Sequence, residues 1–301
     1  MNEEIPEFLS QMLLREYGKE LVNRIVEGYS SKQYTTFRVN TLKTNRQEIE
    51  KELKDLKIEY EMVKWNEDAF IVKDANTKEI KETNIYKDGK IYLQNLSSML
   101  PAIVLNPQEQ ENILDMAAAP GGKTTQMACL SNNKAMITAC EKNKIRLDRL
   151  KYNLEKQGAS RVSVMQKDSR KLDDFFSFDK ILLDAPCGGS GTIKISNGKQ
   201  CNNFTKELVE RSTKTQKELI KKASKILKSG GELIYSTCSI LKEENEEIVK
   251  EILKNGEMKI LPITDEIFKY VPKLPVTIEG TMCICPSDLY EGFFIAKLIK
   301  Q

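Results

Sequence analysis

Histidine is absent from the 301-residue chain. That absence removes Ser-His-Asp and Cys-His nucleophile pairs, HExxH zinc sites and any imidazole general base, so acid–base work falls to carboxylates, Lys, Cys or Tyr. A long apolar run is missing too. The longest stretch without a charged residue, Ile91 to Gln108, is broken by Gln94, Asn95, Ser97, Ser98, Pro101 and Pro107, and no membrane span is expected. The first residues, Met1-Asn-Glu-Glu4, are acidic and lack the apolar core of a secretory signal, so a cytoplasmic location is expected. Cysteines 129, 140, 187, 201, 238, 283 and 285 are odd in number and scattered, which argues against a disulfide framework.

With 40% hydrophobic and 30% charged residues the chain can bury a full core, and its length suits one large α/β domain with an appendage. The net charge of +3 says little, but its distribution is uneven. Residues 188–228 carry 10 Lys and Arg against 3 acids, a basic footprint that a polyanion could use, with a solvated lysine-rich helix face as the plain alternative.

From about Asn112, short apolar runs alternate with amphipathic segments. Residues 112–116, 135–139, 161–165, 180–184 and 232–236 read as buried strands, and 143–157 and 205–228 as helices, the latter closed by Gly230-Gly231 as a C-cap. Such alternation predicts a mostly parallel sheet covered on both faces, with ligands at the carboxyl ends of the strands. Residues 1–89 read as a small α+β subdomain, with helices near 5–28 and 45–57 and strands at 36–40 and 69–72; residues 90–301 form the larger domain.

Asp115-Met-Ala-Ala-Ala-Pro-Gly-Gly-Lys-Thr124 follows the first of those strands and opens a helix. Its small residues and paired glycines allow a ligand close to the backbone. Ala117 stands where a phosphate-binding P-loop requires Gly, and no GxGxxG is present, so phosphate binding and nucleotide hydrolysis are disfavoured. Glu141, Asp168 and Asp184 end the next three strands, and an acid at successive strand ends outlines a nucleoside pocket. Cys187, in Asp184-Ala-Pro-Cys-Gly-Gly-Ser-Gly-Thr192, and Cys238, in Tyr235-Ser-Thr-Cys-Ser239, emerge at the same sheet edge. Two thiols and a carboxylate suit C5 methylation of cytosine: a thiolate adds to C6, an acid serves N3, and C5 becomes nucleophilic toward an electrophilic methyl group. The thiolate needs nearby positive charge, for which Lys123 and the helix start are candidates.

These strings, with Arg38-Val-Asn-Thr-Leu-Lys43, Gln94-Asn-Leu-Ser-Ser-Met-Leu-Pro101, Gln216 and Gly292-Phe-Phe-Ile-Ala296, resemble the RNA cytosine-5 methyltransferases of the RsmB, or Nop/Sun, type from about residue 35 onward. The resemblance implies a class I, Rossmann-like methyltransferase with a mostly parallel seven-stranded sheet, a small N-terminal α+β subdomain facing RNA, and S-adenosyl-L-methionine as cofactor. Ala117, Ala118, Ala119, Pro120, Gly121, Gly122 and Lys123 would form the cofactor loop. Glu141 would hold the ribose, Asp168 the adenine amino group and Asp184 the target cytosine. In the family the Thr-Cys cysteine, here Cys238, is the nucleophile and the Pro-Cys cysteine, here Cys187, assists release; DNA enzymes attack with the latter, and spacing alone does not choose.

The implied partner is RNA, ribosomal ahead of transfer RNA, bound by a monomer, with Arg38 and Lys43 adding contacts. An N-methyltransferase would carry a polar-Pro-Pro-aromatic turn in place of Asp184-Ala-Pro-Cys187, and an inactive assembly factor would have lost a cysteine. The segment after Cys187 lacks the Arg and Trp usual in the family. Cys283-Ile-Cys285, two ligands without histidine or a second pair, is read as strand-end packing and no metal is expected. The extra C-terminal RNA-binding domain of some larger relatives is not expected after Gln301.

Overall fold

Alternation within the apolar runs decides which side each residue buries. Ile181 and Leu183 pack with one set of helices while Leu182 between them packs with the other, the two-residue period of a strand covered on both faces. The computed structural model describes residues 5–196, 199–200, 204–263 and 267–301. Gly198 and Cys201 lie outside them.

The first part runs α1 (Glu7–Ser30), β1 (Thr35–Val39), α2 (Arg46–Asp55), β2 (Tyr60–Val63), β3 (Asn66–Val72), the short helices α3 (Thr77–Glu82) and α4 (Asn84–Lys87), and β4 (Ile91–Leu93). The four strands form an antiparallel sheet in the order β2-β3-β1-β4, with a core of its own that includes Phe37, Ile49, Leu53 and Phe70. Helix α1, kinked at Gly18, packs its Leu9, Leu13 and Ile25 into the core of the larger sheet instead.

The second part continues with α5 (Leu96–Leu105), β5 (Asn112–Asp115), α6 (Gly122–Leu130), β6 (Met136–Cys140), α7 (Lys144–Gln157), β7 (Val162–Met165), β8 (Phe178–Asp184), the paired β9 (Ile195–Ser196) and β10 (Lys199–Gln200), α8 (Lys206–Ile226), β11 (Leu227–Thr237), α9 (Glu246–Leu253), β12 (Met258–Ile260), β13 (Lys273–Leu274), β14 (Met282–Ile284) and β15 (Phe293–Lys300). Its sheet has the order β13-β14-β15-β11-β8-β5-β6-β7, with β12 also on β15. The five strands from β7 to β11 are parallel, β15 is antiparallel to β11, and β14 is antiparallel to β15 and so runs with the core. These are the seven strands of the expected mostly parallel sheet; the short β12 and β13 bring the total to nine.

Three readings of the sequence are corrected by the fold. Gly230-Gly231 does not cap α8. The helix ends at Ile226, Leu227 is already extended, and the glycines occupy a register slip between Leu227 and Glu232 at the start of β11. A Cβ on Gly231 would lie 2.8 Å from the Asp179 carbonyl oxygen, so the slip accommodates only glycine there. The basic footprint of 188–228 is largely compensated by acids, most of them outside that stretch: Lys217 and Lys221 pair with Glu251, Lys222 and Lys225 with Asp174, Lys228 with Asp179, and Lys206 with Glu210. Lys194, Arg211 and Lys214 make no ion pair among the described residues. Arg38 is not available to RNA, because it is 2% exposed and its guanidinium is consumed inside the protein. Lys43 is exposed and donates to the Asp88 carbonyl.

Candidate active site

Five parallel strands end at one rim, and the residues just past them make the site. At β5, Asp115 is buried and accepts from Thr124 Oγ1 at 2.7 Å, which fastens the 116–123 loop to the start of α6. Gly121 turns the chain into α6 with φ at +107°, a conformation that favours glycine. Arg146 donates to the Ala119 carbonyl at 2.8 Å and Asn153 to that of Pro120 at 2.7 Å, so α7 fixes the loop from the far side.

Burial pushes Asp115 up to about 6 from an ordinary 3.8, against the Thr124 hydrogen bond and with the Asp184 charge adding to it. A carboxyl whose folded pKa is raised favours folding most when protonated. Its contribution is therefore complete below 3.8 and lost as pH rises through about 6. Asp115→Asn, which keeps an acceptor for Thr124, is expected to gain about 3 kcal/mol over the wild type between pH 4 and 8. Thermal unfolding across that range checks it; parallel stability curves would refute the assignment.

After β6 comes Glu141, 5% exposed, whose Oε1 accepts from the Asn143 N–H at 2.8 Å and whose Oε2 lies 3.4 Å from Arg146. After β7 comes Asp168. It accepts the Arg170 side chain on both oxygens, and Arg170 holds its carboxyl below the ordinary range. Asp184 ends β8 with both oxygens engaged: Oδ2 accepts from Lys123 Nζ and Oδ1 from Ser236 Oγ, each at 2.8 Å. Lys123 also donates to Ser98 Oγ at 2.8 Å. The two sulfurs, Cys187 just past β8 and Cys238 just past β11, are 3.1 Å apart. The Cys238 sulfur, ahead of burial, holds the Cys187 thiol well above the usual range.

Two cavities meet at Asp184. One, about 290 Å³, is lined by Ala117, Ala119, Glu141, Asp168, Asp184 and both cysteines. Its carboxylates at three strand ends and its small-residue loop fit an adenosine carrying no phosphate. The other, about 320 Å³, shares Ala117, Ala119 and Asp184 with it and is lined besides by Tyr92, Asn95, Ser98, Lys123 and Glu291. All expected site residues thus border one or both cavities except Gly121, which shapes the loop from behind. Among the described residues no group of acids and cysteines could hold a metal ion, and no helix is long and apolar enough to cross a membrane.

Glu244, which sequence reasoning missed, is fully buried behind Cys187. Its Oε1 accepts the Gly188 N–H at 2.6 Å and the Gln216 amide at 3.3 Å, while the same amide reaches the Pro186 carbonyl at 3.0 Å. Glu244 and Gln216 therefore clamp the turn that carries Cys187. A buried carboxyl with no cation among the described residues paired to it is costly, and the one legible signal was Gln216, an amide on the inward face of α8.

Residues 102–299 match the model of the family described as 16S rRNA methyltransferase RsmB/F, and residues 5–77 that of its ferredoxin-like domain. The chain is 35% identical over 274 residues to ribosomal RNA small subunit methyltransferase F of Shewanella loihica, covering 88% of this chain and 56% of that one. It is 34% identical to a 28S rRNA (cytosine-C(5))-methyltransferase of Mus musculus, covering 98% of this chain and 38% of the mouse protein. The chain thus spans about half the length of the bacterial relative. Among solved structures it is similar to a methyltransferase homologue from Pyrococcus horikoshii, with TM-score 0.86, 32% identity and 99% and 96% of the two chains covered. NSun6 from the same organism, solved with SFG, gives TM-score 0.87 and 27% identity over 100% and 99%. With its loop, acids and paired thiols on one rim and a family match over more than half its length, the chain belongs to the RsmB/F family of 16S rRNA methyltransferases.

Proposed function

We propose that this protein is an RNA cytosine-C5 methyltransferase that uses S-adenosyl-L-methionine and acts on ribosomal RNA ahead of transfer RNA. The observation that carries the reading is the pair of thiols 3.1 Å apart beside Asp184, at the mouth of a cavity bordered by Glu141 and Asp168. When bound, the cofactor supplies a methyl group on a positively charged sulfur. Residues 117–123 hold it, Glu141 takes the ribose hydroxyls and Asp168 the adenine amino group, its charge kept by Arg170. Asp184, oriented by Lys123 and Ser236, accepts from the cytosine. Cys238 attacks C6, with Lys123 lending positive charge to the rim. Cys187, held as a thiol, assists release. The 1–89 subdomain meets the RNA.

Bisulfite sequencing of RNA from cells with and without the gene tests this. One or a few protected ribosomal cytosines present only with the gene are expected, protection confined to transfer RNA would change the substrate, and no difference would overturn the reading. Glu141→Ala is expected to weaken S-adenosyl-L-methionine binding by about tenfold or more in calorimetry, because charge-assisted bonds to two hydroxyls are lost. Unchanged affinity in the folded variant would remove Glu141 from the site.

A further inference from the structure

Glu291 belongs to neither cysteine motif nor to the cofactor loop, yet the backbone ties it to the reacting rim. Its carbonyl accepts from Ser97 Oγ at 2.7 Å and its N–H donates to Asn95 Oδ1 at 3.3 Å. The next residue, Gly292, donates to the Gly191 carbonyl at 2.8 Å, and Gly191 donates to the carbonyl of Cys238 at 3.0 Å. A Cβ on Gly191 would lie 2.0 Å from the Gly292 oxygen, so the two backbones are in direct contact and fix Glu291 relative to Cys238. Glu291 lines the cavity that Asp184 and Lys123 share with Asn95 and Tyr92. It makes no hydrogen bond or ion pair with any described residue. Burial raises its pKa, opposed by Lys194 and Lys123, whereas Asp184, on the same cavity, is ion-paired to Lys123 and accepts from Ser236. Of the described acids lining this cavity, Asp115 is tied to Thr124 and Asp184 to Lys123, and Glu291 is the one left with a carboxyl to offer an incoming group.

We propose that Glu291 is the acid that protonates N3 of the target cytosine as Cys238 adds to C6, an assignment that rests on the function proposed above. Cytosine presents an acceptor at N3 next to a donor at the N4 amino group. A neutral carboxyl matches both, its O–H donating to N3 and its carbonyl oxygen accepting from N4, with Asp184 free to take the second N4 hydrogen. As the Cys238 sulfur bonds to C6, the C5–C6 π pair moves between C4 and C5 and the C4–N3 π pair moves onto N3. N3 takes the Glu291 proton, leaving the carboxylate with the charge the thiolate brought. C5 takes the methyl group with the C4–C5 π pair while the N3 lone pair restores the C4–N3 double bond. The C5 hydrogen then leaves as a proton to water, its C–H pair forms the C5–C6 double bond, the C6–S bond breaks with its pair on sulfur, and N3 returns its proton to Glu291.

Total RNA from cells lacking the gene, grown with 5-tritiated cytidine, reads the whole cycle as tritium released to water. Glu291→Gln keeps a donor for N3 and an acceptor for N4 but has no acidic proton, so kcat is expected to fall about a hundredfold while the KM for RNA stays within about threefold. Glu291→Ala loses the contacts as well and raises KM. Cofactor affinity by calorimetry is expected to stay within about twofold in both, which also reports folding. Wild-type kcat in Glu291→Gln would overturn the proposal, and so would lost cofactor affinity with an unchanged KM for RNA, which would put Glu291 on the amino-acid end of the cofactor. No release by the wild type, equal to Cys238→Ala, would overturn the proposed function itself and this inference with it.

Discussion

Cys187→Ala is expected to yield a protein–RNA species that survives denaturing electrophoresis, and Cys238→Ala to yield none and to lose methylation by at least about three orders of magnitude. The asymmetry follows from the order of bond changes. The bond from sulfur to C6 must form before C5 can be methylated and breaks only after the C5 hydrogen has left, so losing the nucleophile prevents the adduct while losing the release group stalls it. The sulfurs are 3.1 Å apart, so each thiol is within reach of the base that the other attacks, and the two variants, not the distance, tell the roles apart. The target base must also leave its stack to reach a rim pocket, so loops or partly unfolded RNA should be modified ahead of intact duplex. A trapped species with Cys238→Ala and none with Cys187→Ala would exchange the roles, and full activity in both would remove the covalent route.

The parallel core was legible because each strand is a short apolar run followed by an acid or a cysteine, and because the chemistry-bearing strings all fall at strand ends. What the sequence concealed depends on contacts between distant segments. Glu244 and Glu291 stand in ordinary acidic or mixed surroundings, and only the packing of the 242–244 turn behind Cys187, and of the 291–292 backbone against Gly191, puts them at the site. The lysines of 206–228 looked like an excess because three of the acids that pair with them, Asp174, Asp179 and Glu251, lie outside the counted stretch. The paired glycines after α8 carry the same residue type as a helix cap and a strand irregularity, and pairing with β8 selects the second. Helix α5, with Pro101 inside it, falls in the run that composition marks as broken.

Arg38 shows the same lesson in energetic form, and Arg38→Ala is expected to destabilise the protein by about 3–5 kcal/mol. Its guanidinium leaves β1 and donates to Gln94 Oε1 at 2.9 Å, the Gly122 carbonyl at 3.0 Å and Thr125 Oγ1 at 2.7 Å, with a weaker contact to Cys129 Sγ at 3.7 Å. Tyr92 lies 5.0 Å from it, over the ring face. No carboxylate among the described residues forms an ion pair with it, and burial pulls its pKa below the usual guanidinium range, opposed by Cys129 and Tyr92. Alanine would leave three acceptors without their donor and an unfilled space between the small sheet and the start of α6. Lysine keeps the charge but has no planar fork to reach acceptors on three segments, so Arg38→Lys should recover only a small part. Because Gly122 belongs to the loop beside Lys123, cofactor affinity should fall along with stability, linking the small sheet to the site it packs against. Urea unfolding with calorimetry separates this from a role in phosphate binding. A phosphate contact would cost RNA affinity and flatten its salt dependence with stability preserved, and an Arg38→Ala stability within about 1 kcal/mol of wild type would refute the buttress.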